Sequence, residues 1–240
     1  MAKLIYVPLG CSLRSQLAEK LSRQPLGEGV LVLPNRLLTD DVRSKYANVE
    51  TMGMDTLASK LMNLNGGTDY KELSRRSQEL IVQDIIDYMM ENKQLTGMTM
   101  HKQLEYFGSL AHKTGFVKAM TSLVSQLSRC GATKEDIYGQ IQKSFEEDEL
   151  KGKDLGVCNF YLLYRQYLEN NNWYDLEGKY RLAMEMLQKK DCKIPWKHIY
   201  ISDFFSLDQV QINFLQALAK HVDDLVISMS YEGRRVSSDE

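Results

Sequence analysis

Leu4-Ile5-Tyr6-Val7-Pro8-Leu9-Gly10-Cys11-Ser12-Leu13-Arg14-Ser15 decides how the rest of the chain is read. An apolar strand, Leu4 to Val7, runs into a tight turn over Pro8 to Ser12, and an amphipathic helix follows from Leu13 to Leu21. Strand, turn and helix in that order form the setting of a phosphate-binding loop. Such a loop needs glycines, so that successive backbone N–H groups can curl around phosphate oxygens, and then Lys followed by Ser or Thr. In the register G-x-x-x-x-G-K-S the residues present are Pro8 to Ser15: Pro8 and Leu13 replace both glycines and Arg14 replaces the lysine. Ser15 alone survives. The architecture is kept while the phosphate chemistry has been removed, which points to a task other than nucleotide hydrolysis.

Outward from this stretch, further strands are expected at Val30–Leu33, Val49–Thr51, His198–Ser202 and Asp224–Ser230. The strands at Leu4–Val7, Val30–Leu33 and Asp224–Ser230 are almost continuously apolar, as in a parallel sheet covered by helices on both faces. Helices are expected between them, at Leu37–Tyr46, Thr56–Leu64 and Leu207–Ala219, giving the βαβ alternation of an open α/β sheet. The middle of the chain, from about Tyr70 to Lys190, shows no strand pattern. It carries helical stripes: Ile81, Val82, Ile85, Ile86, Met89 and Met90; Val117, Met120, Val124 and Leu127; Tyr161, Tyr164 and Leu168; Leu176, Tyr180, Ala183 and Leu187. Gly66-Gly67 and Ile194-Pro195 punctuate its ends. The expected organisation is a discontinuous α/β domain over 1–68 and 194–240 with an all-helical insertion over 69–193. The polar residues Gly233 to Glu240 directly follow a strand, so a longer parent protein is expected.

With 240 residues and a net charge of −2, the chain can bury a large core and presents no global basic field. No apolar run reaches membrane-spanning length, and no membrane partner is expected. Cys11, Cys130, Cys158 and Cys192 form no C-x-x-C pair, and His101, His112, His198 and His221 lack ligand spacing. Neither a disulfide framework nor a metal site is expected, and free thiols fit a cytoplasmic location.

Four segments carry a family resemblance: IYVPLGCSLRS from Ile5; VLVLPNRLLTDDV, Val30 to Val42; VETMGMDTLASKLM, Val49 to Met62; and IYISDFFSLDQVQINFLQALA, Ile199 to Ala219. Together they resemble the first motor domain of UvrD-like superfamily-one helicases. More closely, they resemble the N-terminal, inactivated helicase region of the B subunit of AddAB-type helicase–nucleases. The resemblance implies a RecA-like α/β fold. In active motors the strand of the fourth segment ends in Asp-Glu, which binds magnesium and orients water. Aligning Gln211 on the glutamine that follows places Ser202 at the Asp position and Asp203 at the Glu position. The loop, the magnesium aspartate and an upstream adenine-contacting glutamine are therefore all missing. The resemblance implies a non-hydrolysing module of a bacterial B subunit that processes double-strand DNA breaks for recombinational repair. Its implied partners are DNA and an active A-type motor subunit, with ATP and magnesium belonging to that motor and no cofactor in this chain. In that family the region also contributes to recognition of a regulatory DNA sequence.

Gly10, Ser12, Arg14, Ser15 and Asp203 are the residues of a degenerate nucleotide site. The plainer readings are a solvated first-turn residue for Arg14 and a helix cap for Asp203. Asn35, Arg36 and Thr51 follow or end strands, where ligands gather in open α/β sheets, and are the candidate DNA-backbone contacts. Asp175, Glu177 and Lys179 spell a nuclease-like D-x-E-x-K. The acids lie too close in sequence to gather a metal from neighbouring strands, and they suit the start of a helix. Tyr161, Tyr164, Tyr167, Trp173 and Tyr174 have the spacing of packing residues ahead of base-stacking ones. Arg75-Arg76 and Lys189-Lys190 are read as solvated. Two other functional classes stay open at this stage: a divergent active P-loop ATPase, and a structural module without a nucleic-acid role.

Overall fold

The computed structural model describes residues 2–91, 108–147 and 152–231; His101 and Gly233–Glu240 lie outside these. The chain divides into two compact units. One is built from Met1–Thr68 and Lys179–Glu240, the other from the intervening Asp69–Gly178.

The first unit holds a five-stranded, all-parallel sheet. Its strands are β1 (Ala2–Pro8), β2 (Gly29–Val32), β3 (Glu50–Met52), β6 (His198–Phe204) and β7 (Asp224–Tyr231), in the order β1-β7-β6-β2-β3. Alternation along the strands sorts the core into two layers. Val30, Val32, Ile199, Ile201 and Leu225 face α3 (Met54–Leu64), α8 (Gly178–Leu187) and α9 (Gln209–Leu218). Leu31, Leu33, Tyr200 and Val226 face α1 (Arg14–Ser22) and α2 (Arg36–Lys45). Right-handed crossovers produce this distribution when the chain moves from β1 through β2 to β3 in one direction and returns to β6 and β7 in the other. The apolar run Val30–Leu33 is expected to be buried on both faces, and all four residues are fully buried.

β1 departs from expectation. Its composition predicts cover on both faces, yet it is an edge strand pairing only with β7, and Leu4 and Tyr6 are exposed. A strand's own composition does not specify its neighbours. Allegiance also differs for α8, whose stripe Tyr180, Ala183 and Leu187 is expected in the helical block. These residues pack instead in the core of the first unit, beside Phe214 and Trp196. Leu176, placed on the same stripe, precedes the helix and is exposed.

The second unit is helical, with α4 (Arg75–Glu91), α5 (Thr114–Arg129), α6 (Lys134–Glu147) and α7 (Gly152–Asn170). Ile81, Val82, Ile85, Ile86 and Met89 of α4 meet Val117, Met120 and Val124 of α5 and Tyr161, Tyr164 and Leu168 of α7. The tyrosines Tyr161 and Tyr164 are thus core residues. Two short strands that the sequence does not announce, β4 (Lys71–Glu72) and β5 (Trp173–Tyr174), pair in parallel and tie the two ends of this unit together. Among the described residues no helix is long and apolar enough to cross a membrane.

The D-x-E-x-K acids are buried within this unit and engaged. Gln78 Nε2 donates to Tyr164 Oη (3.0 Å), and Tyr164 Oη donates to Asp175 Oδ2 (3.0 Å). Asp175 Oδ1 accepts the Gly178 N–H (2.7 Å) at the start of α8, a capping contact. Glu177 Oε1 accepts from Arg129 Nε (3.0 Å). Burial, reinforced by the charge of Asp175, raises the pKa of Glu177 despite that bond.

This packing has consequences for stability. Phe214→Ala empties a fully buried site against Tyr180 (ring centroids 5.7 Å apart) and lowers stability by about 3–5 kcal/mol in urea unfolding. Glu177 binds its proton more tightly folded than unfolded. Its contribution is therefore full below the ordinary glutamate value of 4.5 and is lost as pH rises through the higher folded value. Glu177→Gln flattens the fall in stability as pH rises from 4.5 through that higher value, read from urea midpoints across the range; an unchanged pH profile contradicts the assignment.

Candidate functional site

In a parallel sheet all strands end on one side, and ligands gather where neighbouring strands send their helices to opposite faces. Here that point lies between β2, which leads into α2 on one face, and β6, which leads into α9 on the other. β1 ends on the same side, separated from β6 by β7 alone, a lateral distance of about 10 Å.

The turn after β1 closes with Cys11 N–H donating to Pro8 C=O (2.9 Å), and Gly10 takes the left-handed conformation (φ +85°) that the turn requires. Ser12 Oγ accepts the N–H of Arg14, the first residue of α1 (3.1 Å), while Ser15 is exposed. Arg14 is partly buried and paired. Its Nη1 donates to Asp203 Oδ2 (3.3 Å), and its Nη2 lies 3.6 Å from Asp41 Oδ2. Asp41 also holds Lys45 (2.7 Å); that hydrogen bond, with the charges of Lys45 and Arg14, keeps its pKa below the usual carboxylate range. Arg14 and Lys45 are thus balanced by Asp41 and Asp203. A phosphate arriving here meets a guanidinium whose charge is already matched by two carboxylates.

The fourth segment explains how Asp203 comes to this place. The β6–β7 register shifts between Ile201 and Phe204, a bulge, and Asp203 sits in it with φ +65°, a left-handed conformation that Asp tolerates better than most residues. The expected capping role belongs elsewhere: α9 begins after Asp208, whose N–H donates to Gln211 Oε1 (3.0 Å). Gln211 is further engaged, with Nε2 donating to Tyr180 Oη (3.2 Å). Ser202, which the resemblance sets against the magnesium aspartate of active motors, is fully buried and pairs with Ser228 on β7 (Oγ to Oγ 3.1 Å). It offers neither charge nor access to a cation.

The bulge also turns Phe205 outward, 76% exposed at the end of β6. On the neighbouring β2 end, Asn35 Oδ1 accepts the Leu38 N–H (3.0 Å) and caps α2, and Arg36 projects into solvent with Asp40 at 3.4 Å. Leu37 beside it is exposed. Thr51 corrects an expectation. It is 2% exposed inside β3, and it is its carbonyl that is used, accepting from Arg43 Nη2 (2.7 Å). Its side chain does not reach a ligand at the strand ends.

Sequence reasoning assigns Arg14 and Asp203 to one site, and the structure joins them. It misses Asp41 and Phe205. Asp41 has a weak signal, its i,i+4 spacing to Lys45. Phe205 has a stronger one: adjacent strand residues point to opposite sides, so one of Phe204-Phe205 has to face outward unless the sheet covers both.

Comparison with known proteins agrees with the second, third and fourth segments; the family match begins after the first. The family model described as ADDB, N-terminal, matches residues 31–240. The chain is 21% identical over 199 residues to the B subunit of the ATP-dependent helicase/deoxyribonuclease of Clostridium tetani, covering 80% of this chain and 16% of that protein. It is 20% identical over 225 residues to the protein of the same description from Alkaliphilus metalliredigens, covering 90% and 18%. For that of Staphylococcus saprophyticus the figures are 18% over 232 residues, 92% and 19%. The chain therefore spans 16–19% of the length of these relatives. On the match of its residues 31–240, the chain belongs to the ADDB N-terminal family.

Proposed function

We propose that this chain is a RecA-like, non-hydrolysing module of a helicase–deoxyribonuclease B subunit, acting in the cytoplasm on double-strand DNA breaks during recombinational repair. The observation that carries this reading is the Arg14 ion pairing. The side chain at the phosphate-lysine position is held by Asp203 and Asp41, and the magnesium position is a buried serine. Nucleotide chemistry has no uncommitted cation to start from at the phosphate-lysine position, and no cofactor is assigned to the chain. ATP and magnesium belong to an active A-type partner motor. The RecA-like assignment is supported by a parallel sheet with helices on both faces, by the loop after β1, and by the acidic end of β6 two strands away. The helical unit Asp69–Gly178 is an insertion into that domain.

The same strand ends suit a DNA strand. Arg36 is exposed for a phosphate, the N-termini of α1, α2 and α3 follow β1, β2 and β3 on this side, and Phe205 offers a flat apolar face to a base. Gly10 and Ser12 shape the β1 turn, and Asn35 orders the start of α2. Contacts of this kind hold a strand without turning over nucleotide.

The proposal predicts that magnesium-ATP leaves the melting temperature unchanged; a rise that disappears in Arg14→Ala contradicts it. It predicts single-stranded DNA binding whose affinity falls steeply with salt. Phe205→Ala weakens that binding by about 1–3 kcal/mol at fixed salt. Arg36→Ala instead lowers the log–log salt slope by about one. Fluorescence anisotropy at several salt concentrations separates these effects, and no binding at low salt removes the DNA-holding role.

A further inference from the structure

The end of the first unit where the strands begin lies opposite the crevice; β6 is seven residues long, which sets the two ends about 20 Å apart. Three chain segments meet there. In the turn after α8 the Cys192 N–H donates to Lys189 C=O (3.2 Å). Asn65, which ends α3, clamps that turn: its Nδ2 donates to Lys193 C=O (3.0 Å), its Oδ1 accepts the Lys193 N–H (2.5 Å), and its carbonyl accepts from Lys189 Nζ (3.2 Å). The turn between α9 and β7 docks beside them, with His221 Nδ1 3.5 Å from Cys192 Sγ and the Asp223 N–H donating to Lys197 C=O (2.9 Å). Read alone, Lys189-Lys190 is a solvated pair. The fold adds Lys193 and Lys220 to it, all four exposed, with His221 between the turns. Asp191 and Asp223 lie in the same turns, so four lysines stand against two carboxylates. Among the described residues no carboxylate pairs with the ammonium of Lys190, Lys193 or Lys220. At the crevice the opposite holds: Arg14, Arg36 and Lys45 each have an aspartate at 2.7–3.6 Å.

We propose that this lysine surface holds the phosphate backbone of double-stranded DNA without reading its sequence. The chemistry of the side chains selects that polyanion. Lysine presents a mobile point charge, suited to phosphates met in any register, and lacks the planar fork that arginine uses for fixed recognition. Among the described residues of 188–193 and 219–223 no large apolar side chain is exposed. The surface therefore has neither the apolar core that a protein partner anchors on nor an aromatic platform for unstacked bases. A duplex keeps its bases stacked inside and offers phosphates densely along its length, so lysine charge alone gives it a hold. The choice of polyanion rests on the DNA reading above. The surface itself is separate from the crevice and shares no residue with it.

Fluorescence anisotropy with a labelled blunt duplex and with labelled oligothymidylate tests it, over a series of salt concentrations. Two triple variants are compared with the wild-type chain: Lys190→Gln/Lys193→Gln/Lys220→Gln, and Arg76→Gln/Lys113→Gln/Lys118→Gln, which removes three exposed cations of the helical unit. The expected result for the first triple is duplex affinity lower by about tenfold or more at low salt and a log–log salt slope reduced by about two to three, with oligothymidylate affinity unchanged. Equal losses in the two triples show a general field and overturn the proposal, as does an unchanged duplex slope in the first. Displacement of the duplex by polyglutamate at equal charge concentration assigns the surface to an acidic protein segment and overturns it too. The oligothymidylate titration tests the crevice and the duplex titration this surface, so the two readings fail separately. Acetylation of the wild-type chain, read by peptide mass spectrometry, needs no variant: duplex is expected to slow modification of Lys190, Lys193 and Lys220, and unchanged rates at all three are the contrary result.

Discussion

The burial of β2 and β6 on both faces is the constraint from which the rest of the structure follows. Val30 to Leu33 and Ile199 to Ile201 are withdrawn from water entirely, so each strand needs helices above and below. Parallel strands cannot be joined by tight turns, and the connecting helices supply that cover. Once β2 and β6 are neighbours with helices leaving to opposite faces, their ends form the crevice that holds Asp203, Phe205, Asn35 and Arg36. The position of the site is a consequence of how the core is closed.

Within that crevice the chemistry is decided by charge matching. An arginine where a nucleotide-binding loop has lysine could still meet a phosphate, because guanidinium pairs well with such oxygens. Asp203 and Asp41 pair with that guanidinium, and in the proposed function they stand where a phosphate would. The left-handed bulge at Asp203 belongs to the same solution: it swings a carboxylate to Arg14 and, two residues later, leaves Phe205 facing solvent. A single irregularity in β6 therefore closes one surface and opens another.

Much of this is legible in the sequence, for physical reasons. An unbroken apolar run before Pro34 reads as a doubly covered strand, and the amphipathic spacing of Ile81 to Met89 reads as a helix packed on one side. The substitutions in the β1 turn can be counted against the needs of a phosphate loop. What stays hidden depends on partners far away in sequence. Arg14 and Asp203 are 189 positions apart, so their bond is invisible to any local pattern. The allegiance of α8 hangs on Tyr180 meeting Phe214, and the exposure of Leu4 on which strand lies beside β1. Thr51 looks available because it ends a strand, but a three-residue edge strand can still turn its hydroxyl inward. β4 and β5 are two residues each, too short to leave a periodic trace.

The central claim is that internal carboxylates, rather than loss of the fold, silence the phosphate site. Calorimetric titration of inorganic tripolyphosphate into the wild-type chain and into Asp203→Asn tests it most directly, since Asn keeps the left-handed backbone while removing the charge. The account predicts no measurable binding to the wild type and detectable binding to Asp203→Asn that is lost again in Arg14→Ala/Asp203→Asn. Equal binding by the wild type and Asp203→Asn would show that the ion pair does not close the site.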